Sequence, residues 1–255
     1  MNVVVCAKYV PNPNGIPELG DDNLLKREGV EGALDPGDEY GVEAGLQIAE
    51  AQGGEVTLVS MGPEPATAAV RKALSMGAHR AVLVSDSSLR GSDALATARV
   101  LAAAIKRQDY DLVIAGVEST DGYTGTLPMT LAELLGVPSV TFARKVEIAD
   151  GAVRVERQTE LGYDTVEAPL PVVVTVTAGA TEPRYPTLKG IMQAKQKPVD
   201  KLSLQDLEVS GNDVAPTQRV EAVNQAPEKG PGEVALDADE GVTKAVQFLS
   251  EAKVI

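Results

Sequence analysis

The sequence predicts an α/β protein built on a parallel sheet, and three observations carry that prediction. Short runs of β-branched apolar residues alternate with longer Ala-rich runs of helical period. Glycines and prolines fall at the junctions between them. Aromatic residues are scarce, with no Trp, two Phe and six Tyr, so Ala, Val and Leu fill the core, as helices packed on a parallel sheet permit.

Residues 3–7, 56–61, 81–85 and 112–116 read as short buried strands, with helices at about 36–52, 65–76 and 92–108 between them. The first helix has Asp35 as N-cap, Pro36 at its first position, and Asp38 and Glu39 facing the positive end of the helix dipole. Gly53 and Gly54 end it, and Gly77 ends the second. Strands alternating with helices imply right-handed crossovers. In such sheets ligands bind beyond the C-terminal strand ends, where the strand order reverses.

After Gly136 the pattern changes. Residues 139–148 and 152–158 flank a turn at Ala149-Asp150-Gly151, and 163–170 and 172–177 continue the β character. The expectation is a β-hairpin insertion over about 139–170, then another core strand. Residues 198–235 mix Pro, Gly, Asn and charge with little periodicity and read as an extended arm. The stretch 237–252 places Val242, Ala245, Val246 and Leu249 on one helical face. The arm and its helix either dock on a partner, fold back on the body or form a free tail. The organisation is therefore a nucleotide-binding-type α/β domain over 1–195 and a C-terminal arm and helix over 196–255.

At 255 residues the chain can bury a sizeable core. No apolar run reaches the ~20 residues needed to span a bilayer, which excludes direct membrane insertion. The start, Met1 to Lys8, reads as a first strand rather than a secretory signal. One cysteine, Cys6, allows no internal disulfide, and one histidine, His79, leaves no Cys/His zinc set. The cytoplasm follows as the default location. A net charge of −14 argues against nucleic-acid binding, which needs clustered Lys and Arg.

Two segments carry functional signal. The first is Gly116-Val117-Glu118-Ser119-Thr120-Asp121-Gly122-Tyr123-Thr124-Gly125-Thr126, directly after the fourth strand. Its glycines let backbone amides approach an anion, its hydroxyls add donors, and a helix over about 125–135 turns its positive end toward the same place. No Lys or Arg lies between Arg107 and Arg144, so a phosphate here would be held by amides and hydroxyls. That favours structural binding over phosphoryl transfer. The alternative is a glycine-rich connection. Neither a GxGxxG nor a GxxxxGK[ST] motif occurs, and no nucleophile–base pair or metal set stands out, so no catalytic residue is assigned.

The second segment is Glu182-Pro-Arg-Tyr-Pro-Thr-Leu-Lys-Gly-Ile-Met-Gln-Ala-Lys-Gln-Lys197. It follows an apolar strand, stiffens itself with two prolines, and sets Leu188, Ile191 and Met192 beside Lys189, Lys195 and Lys197. In an acidic protein, a basic fringe around apolar side chains reads as a docking element. An amphipathic turn packed on its own domain is the alternative.

With these elements placed, the chain resembles the beta subunit of electron transfer flavoprotein over roughly residues 1–207. The resemblance rests on Val4–Pro11 with Leu34–Tyr40, on Met61-Gly62-Pro63 with Ala73–Ala78 and Gly116–Gly122, and above all on Glu182–Lys195. It implies a parallel, doubly wound sheet of the adenine-nucleotide hydrolase-like type, bound as a heterodimer to an alpha subunit that holds most of the redox FAD. The family's beta subunit carries a structural, catalytically idle AMP. Carried across, Cys6, Asp35, Pro36, Gly37, Asp38, Met61 and the loop from Gly116 to Thr124 would line AMP. Leu188, with Ile191, Met192 and Lys195, would dock flavin-dependent dehydrogenases, and a quinone reductase would take the electrons onward. The arm would embrace the alpha subunit.

The chain departs from the family pattern in places. Asp35-Pro36-Gly37 replaces an Asn-Pro-aromatic run, removing an aromatic contact near the flavin. Leu161 and Asp164 interrupt an acidic-glycine run after Arg157, and the tail beyond about residue 208 is longer than expected. A bifurcating branch binds a second FAD in place of AMP and reads Asp-Gly-Asp-Thr followed by Gln. Here Asp121-Gly122-Tyr123-Thr124 lacks the second Asp and the Gln, which favours AMP. A stand-alone ATP-binding stress or signalling module of similar fold is the rival from another class. The loop lacks the glycine-hydroxyl phosphate pattern that such a module uses.

Overall fold

The structure, a computed structural model, describes residues 1–224, 226–227, 230 and 232–255. Residues 1–220 form one compact unit and 221–255 a second. In the first, β1 (Asn2–Cys6) leads into a small antiparallel pair, β2 (Tyr9–Pro11) and β3 (Gly32–Leu34), and then into helix α1 (Pro36–Gln52). β4 (Glu55–Met61), α2 (Thr67–Met76), β5 (Arg80–Val84), α3 (Ala94–Lys106), β6 (Leu112–Gly116) and α4 (Leu127–Leu135) follow in alternation. Next come β7 (Ser139–Ala149), β8 (Ala152–Thr159), β9 (Gly162–Pro169), β10 (Val172–Val176), α5 (Leu188–Ala194) and β11 (Val199–Leu202).

Among the described residues the large sheet has nine strands, in the order β11-β5-β4-β1-β6-β10-β7-β8-β9. From β11 to β7 every pairing is parallel. The strands read as unbroken apolar runs because both faces are covered. Alternate residues of β1 part to opposite sides: Val3 and Val5 pack with α1 and α2, Val4 and Cys6 with α3 and α4. The same division holds for β6, with Leu112 and Ile114 on one side and Val113 and Ala115 on the other. The sheet is therefore doubly wound, as the sequence predicts.

The expected hairpin over 139–170 is a three-stranded antiparallel meander, β7–β8–β9, that continues the main sheet. β7 belongs to both parts: Val140 and Ala143 are buried where it runs beside β10, and its outer half is mostly exposed. The arm expected from residue 196 begins later than that. Residues 199–202 form β11, which pairs with β5 from Val199↔Ala81 to Leu202↔Val84. Leu204, Leu207 and Val214 are buried in the core on the α3–α4 side. Apolar residues there are too widely spaced to show a period, yet each fills a gap in the body. Within the expected arm, positions 225, 228, 229 and 231 lie outside the described residues. The second unit contains α6 (Ala238–Glu251), N-capped by Asp237, with Val242, Val246 and Phe248 exposed.

Candidate functional site

The chain runs from β1 outward through β4 to β5, then returns past β1 to form β6 on its other side. The C-terminal ends of β1 and β6 thus meet where the strand order reverses, the usual ligand position in this architecture. Asp35 and Asp38 stand between them at the start of α1.

Asp35 is fully buried and joins the two loops. Its Oδ1 accepts from the Gly37 amide at 2.8 Å, capping α1. Its Oδ2 accepts from the Thr120 amide at 2.7 Å and from the Thr120 hydroxyl at 2.9 Å. Asp38 Oδ2 accepts from the Lys8 amide at 2.7 Å. Burial and the neighbouring Asp35 carboxylate push the Asp38 carboxyl up to about 8, against the amides of Lys8 and Gly116. Gly116 suits this tight junction, because a Cβ would stand 3.1 Å from Asp38 Oδ1 and press on that carboxylate.

The loop after β6 is organised from within. Ser119 carbonyl accepts from the amides of Gly122 and Tyr123, and Tyr123 takes a left-handed backbone conformation with φ 48°. Three amides expected to face an anion, those of Thr120, Gly122 and Tyr123, are therefore already engaged. Thr124 and Thr126 remain exposed, and Thr126 makes no side-chain cap at the N-terminus of α4, leaving that positive end uncapped.

Cations do reach this loop, which corrects the expectation of a site lined by amides and hydroxyls alone. Lys8, directly after β1, donates from Nζ to Ser119 Oγ at 3.0 Å and to Asp121 Oδ1 at 2.6 Å. Arg27, from the long connection between β2 and β3, brings NH2 to 2.5 Å from Asp121 Oδ2, an ion pair without a hydrogen bond. Burial pushes the Asp121 carboxyl up, but Lys8, Arg27 and Ser119 together hold it below the usual carboxylate range. Lys8 was within reach of sequence reasoning, since the residue after the central strand must lie beside the loop after its neighbour. Arg27 carried no comparable signal.

Cys6 lies buried at the end of β1, its thiol pushed up to about 12 by burial and then by Asp38. Met61 ends β4, partly buried beside the α3–α4 core. The Tyr123 ring is exposed and Val117 partly so. Pro36, Gly37 and Glu118 complete the turn around Asp35, with Glu118 carbonyl close to Gly37 and Gly116. His79, just before β5, is exposed and accepts from the Val56 amide through Nδ1 at 3.0 Å. No cluster of metal-ligating side chains occurs among the described residues. A separate cleft of about 390 Å³ opens between α1 and β7, lined by Ala44, Ile48, Val146 and Ile148; none of the residues expected to line AMP borders it.

The second candidate segment forms α5, N-capped by Thr187 Oγ1, which accepts from the Gly190 amide at 3.0 Å. Leu188, Ile191 and Met192 are 77, 46 and 64% exposed, and Lys195 is exposed beside them. Ala194 alone on this helix is buried.

A glycine-rich loop where the strand order reverses defines a doubly wound α/β protein, and on it α5, packed against α2, displays an exposed apolar face. The electron transfer flavoprotein domain matches residues 22–207. The electron transfer flavoprotein subunit beta of Mycobacterium bovis is 42% identical over 100% of this chain and 99% of its own length. That of Thermoanaerobacterium thermosaccharolyticum is 38% identical over the whole of both. The caffeyl-CoA reductase-Etf complex subunit CarD of Acetobacterium woodii is 37% identical over 92% of this chain and 91% of its own. The chain belongs to the electron transfer flavoprotein beta-subunit family. Since the first two relatives align from end to end, the tail beyond about residue 208 is no peculiarity of this chain.

Proposed function

We propose that this beta subunit pairs with an alpha subunit in a heterodimeric, cytoplasmic electron carrier, holds a structural AMP between the ends of β1 and β6, and docks flavin-dependent dehydrogenases through α5. The observation that carries the reading is the junction itself. Asp35 ties the Thr120 loop to the start of α1, Lys8 and Arg27 gather on Asp121, and the uncapped start of α4 faces the same loop. The groups left to meet a nucleotide phosphate are the uncapped amides at the start of α4 and the exposed hydroxyls of Thr124 and Thr126.

In this reading FAD, shared with the alpha subunit, supplies the redox chemistry when bound. The residues of this chain perform no bond-making step. Asp35 and Asp38 fix the loop, Lys8 and Arg27 offset the Asp121 charge within it, the open start of α4 meets the phosphate, and Leu188, Ile191 and Met192 enter an apolar pocket on the donor enzyme. A few apolar anchors in a desolvated pocket carry most of the energy of such contacts. The chain braces one side of the flavin, and a quinone reductase accepts the electrons downstream. The name of the Acetobacterium relative, a subunit of a caffeyl-CoA reductase-Etf complex, supports association with an enzyme that acts on a CoA thioester.

The test is co-expression with the alpha subunit. A one-to-one complex with a flavin spectrum, bleached by a flavin-dependent acyl-CoA dehydrogenase and its thioester, is the expected result. A chain that purifies alone, without flavin, and hydrolyses ATP would replace this reading with that of a stand-alone nucleotide module.

A further inference from the structure

The docking helix is far too short to hold itself together. An isolated helix shorter than ~12–15 residues is marginal in water, and α5 has seven. Its order must come from the body it packs on, and beside the Thr187 cap the groups that fix its two ends to that body are cationic. On the entry side, Arg184 spreads its guanidinium over two carboxylates of α1. Nε donates to Glu43 Oε2 at 2.7 Å and NH2 to Glu43 Oε1 at 3.0 Å. NH1 and NH2 reach Glu50 Oε1 and Oε2 at 2.6 and 3.1 Å. The Arg184 amide also donates to Glu43 Oε2 at 3.2 Å. Glu43 is 3% exposed, so Arg184 is the charge that makes its burial tolerable. Both Glu43 and Glu50 are held below the usual carboxylate range, Glu43 against the effect of burial and Glu50 chiefly by its bond to Arg184.

On the exit side, Arg71 of α2 donates through NH1 to the carbonyls of Ala194 and, at 2.7 Å, Lys197. Lys197 Nζ then caps the C-terminal end of α2, reaching the carbonyls of Leu74, Gly77 and Ala78 at 3.0, 3.2 and 2.7 Å. Between the clamps the backbone of α5 lies directly on α2. A Cβ at Gly190 would stand 2.5 Å from the Ser75 carbonyl oxygen, so only glycine allows this approach.

We propose that Arg184 is a positioning residue for partner docking: its double fork onto Glu43 and Glu50 presents Leu188, Ile191 and Met192 in a pre-formed arrangement. The inference rests on the docking reading above. Only Tyr185, Pro186 and Thr187 separate the fork from Leu188, and Pro183 and Pro186 remove backbone freedom on either side of it. Ordering a free segment costs conformational entropy, and a segment ordered beforehand spares the complex that cost. Lys197 and Lys195 therefore differ in use: Lys197 is spent on the clamp, and Lys195 stays in the exposed fringe.

The experiment uses the FAD-loaded heterodimer carrying Arg184→Ala, Leu188→Ala or both, with FAD content as the check on assembly. Amide exchange over 187–194 reports order, and KM and kcat for the heterodimer are read in its reduction by an acyl-CoA dehydrogenase. Arg184→Ala is expected to speed exchange at least tenfold and raise KM about five- to tenfold, with little change in kcat. In the Leu188→Ala background it should add less than twofold to KM. If Leu188→Ala raises KM and Arg184→Ala does not, the positioning role is wrong and docking stands. If neither raises KM, the docking reading falls and takes this inference with it. Fully multiplicative effects would place Arg184 outside the Leu188 contact and also overturn the proposal. Should Arg184→Ala lose FAD, Glu50→Gln removes only the outer arm of the fork and must give faster exchange and a smaller rise in KM.

Discussion

Replacing Asp35 with Ala removes the one side chain that joins both halves of the candidate nucleotide site. Three bonds to a buried carboxylate disappear: Gly37 amide, Thr120 amide and Thr120 hydroxyl. Bonds to charged groups contribute about 1.5–3 kcal/mol each, so the gross loss is roughly 5–9 kcal/mol. Against this stands the relief of no longer burying a carboxylate, which recovers several kcal/mol. The two amides lose their acceptor, and if the loop opens to let water reach them, part of that cost is spared as well. The net is about 3 kcal/mol, more than the roughly 0.5–2 kcal/mol that loss of an N-cap alone would cost. If the Thr120 loop must be ordered to hold AMP, the same sum lowers AMP affinity on the order of a hundredfold. Asp35→Asn keeps one acceptor but points an amide at the remaining donors, and should cost about half as much. Urea unfolding of the heterodimer, AMP retention on dialysis and amide exchange over 117–124 measure all three effects. An Asp35→Ala heterodimer that keeps AMP within threefold of the unaltered affinity would refute the latch.

Three further outcomes follow from the same geometry. Asp38 has a folded value raised from 3.8 to about 8, so between those values the native state holds a proton that the unfolded chain has released. Stability therefore declines as pH rises through that window, at most by about 1.4 kcal/mol per pH unit, and levels off above pH 8. Urea midpoints at pH 5 and pH 8 should show this fall, Asp38→Asn should flatten it, and an identical slope in both proteins would exclude the assignment. Cys6, buried and with its thiol pushed up to about 12, should resist alkylation at pH 8 in the native heterodimer and react fully in guanidinium; rapid native labelling of the Cys6 peptide would contradict its burial. Leu188 is 77% exposed, so docking can bury most of its side chain for about 1.5–2 kcal/mol. Leu188→Ala should raise KM for the dehydrogenase about ten- to thirtyfold with FAD content unchanged, and unaltered kinetics would remove the anchor.

The sequence discloses the sheet more readily than the site. β1, β4, β5 and β6 are buried on both faces, so their apolar runs stand out, and the caps at Asp35, Gly53 and Gly77 mark the helices between them. β11 escapes notice because an edge strand needs only partial burial: Val199 and Leu202 are half-buried, while Asp200 and Lys201 face solvent. β2 and β3 have three residues each and are joined by a long connection, so neither shows a period. At the site, the carboxylates of α1 and the loop after β6 are visible because each is contiguous in sequence. Lys8 becomes legible only through the strand order that brings β1 beside β6, and Arg27, in the long connection between β2 and β3, carries no signal at all. The clamps on α5 are hidden for the same reason, since Arg184 finds its partners more than 130 residues away.

The measurement closest to the central claim is a count of nucleotides released from the purified heterodimer before and after many cycles of flavin reduction and reoxidation. The account predicts one FAD and one AMP per heterodimer, with the AMP chemically unchanged. Two FAD and no AMP, or a nucleotide consumed during the cycles, would contradict it.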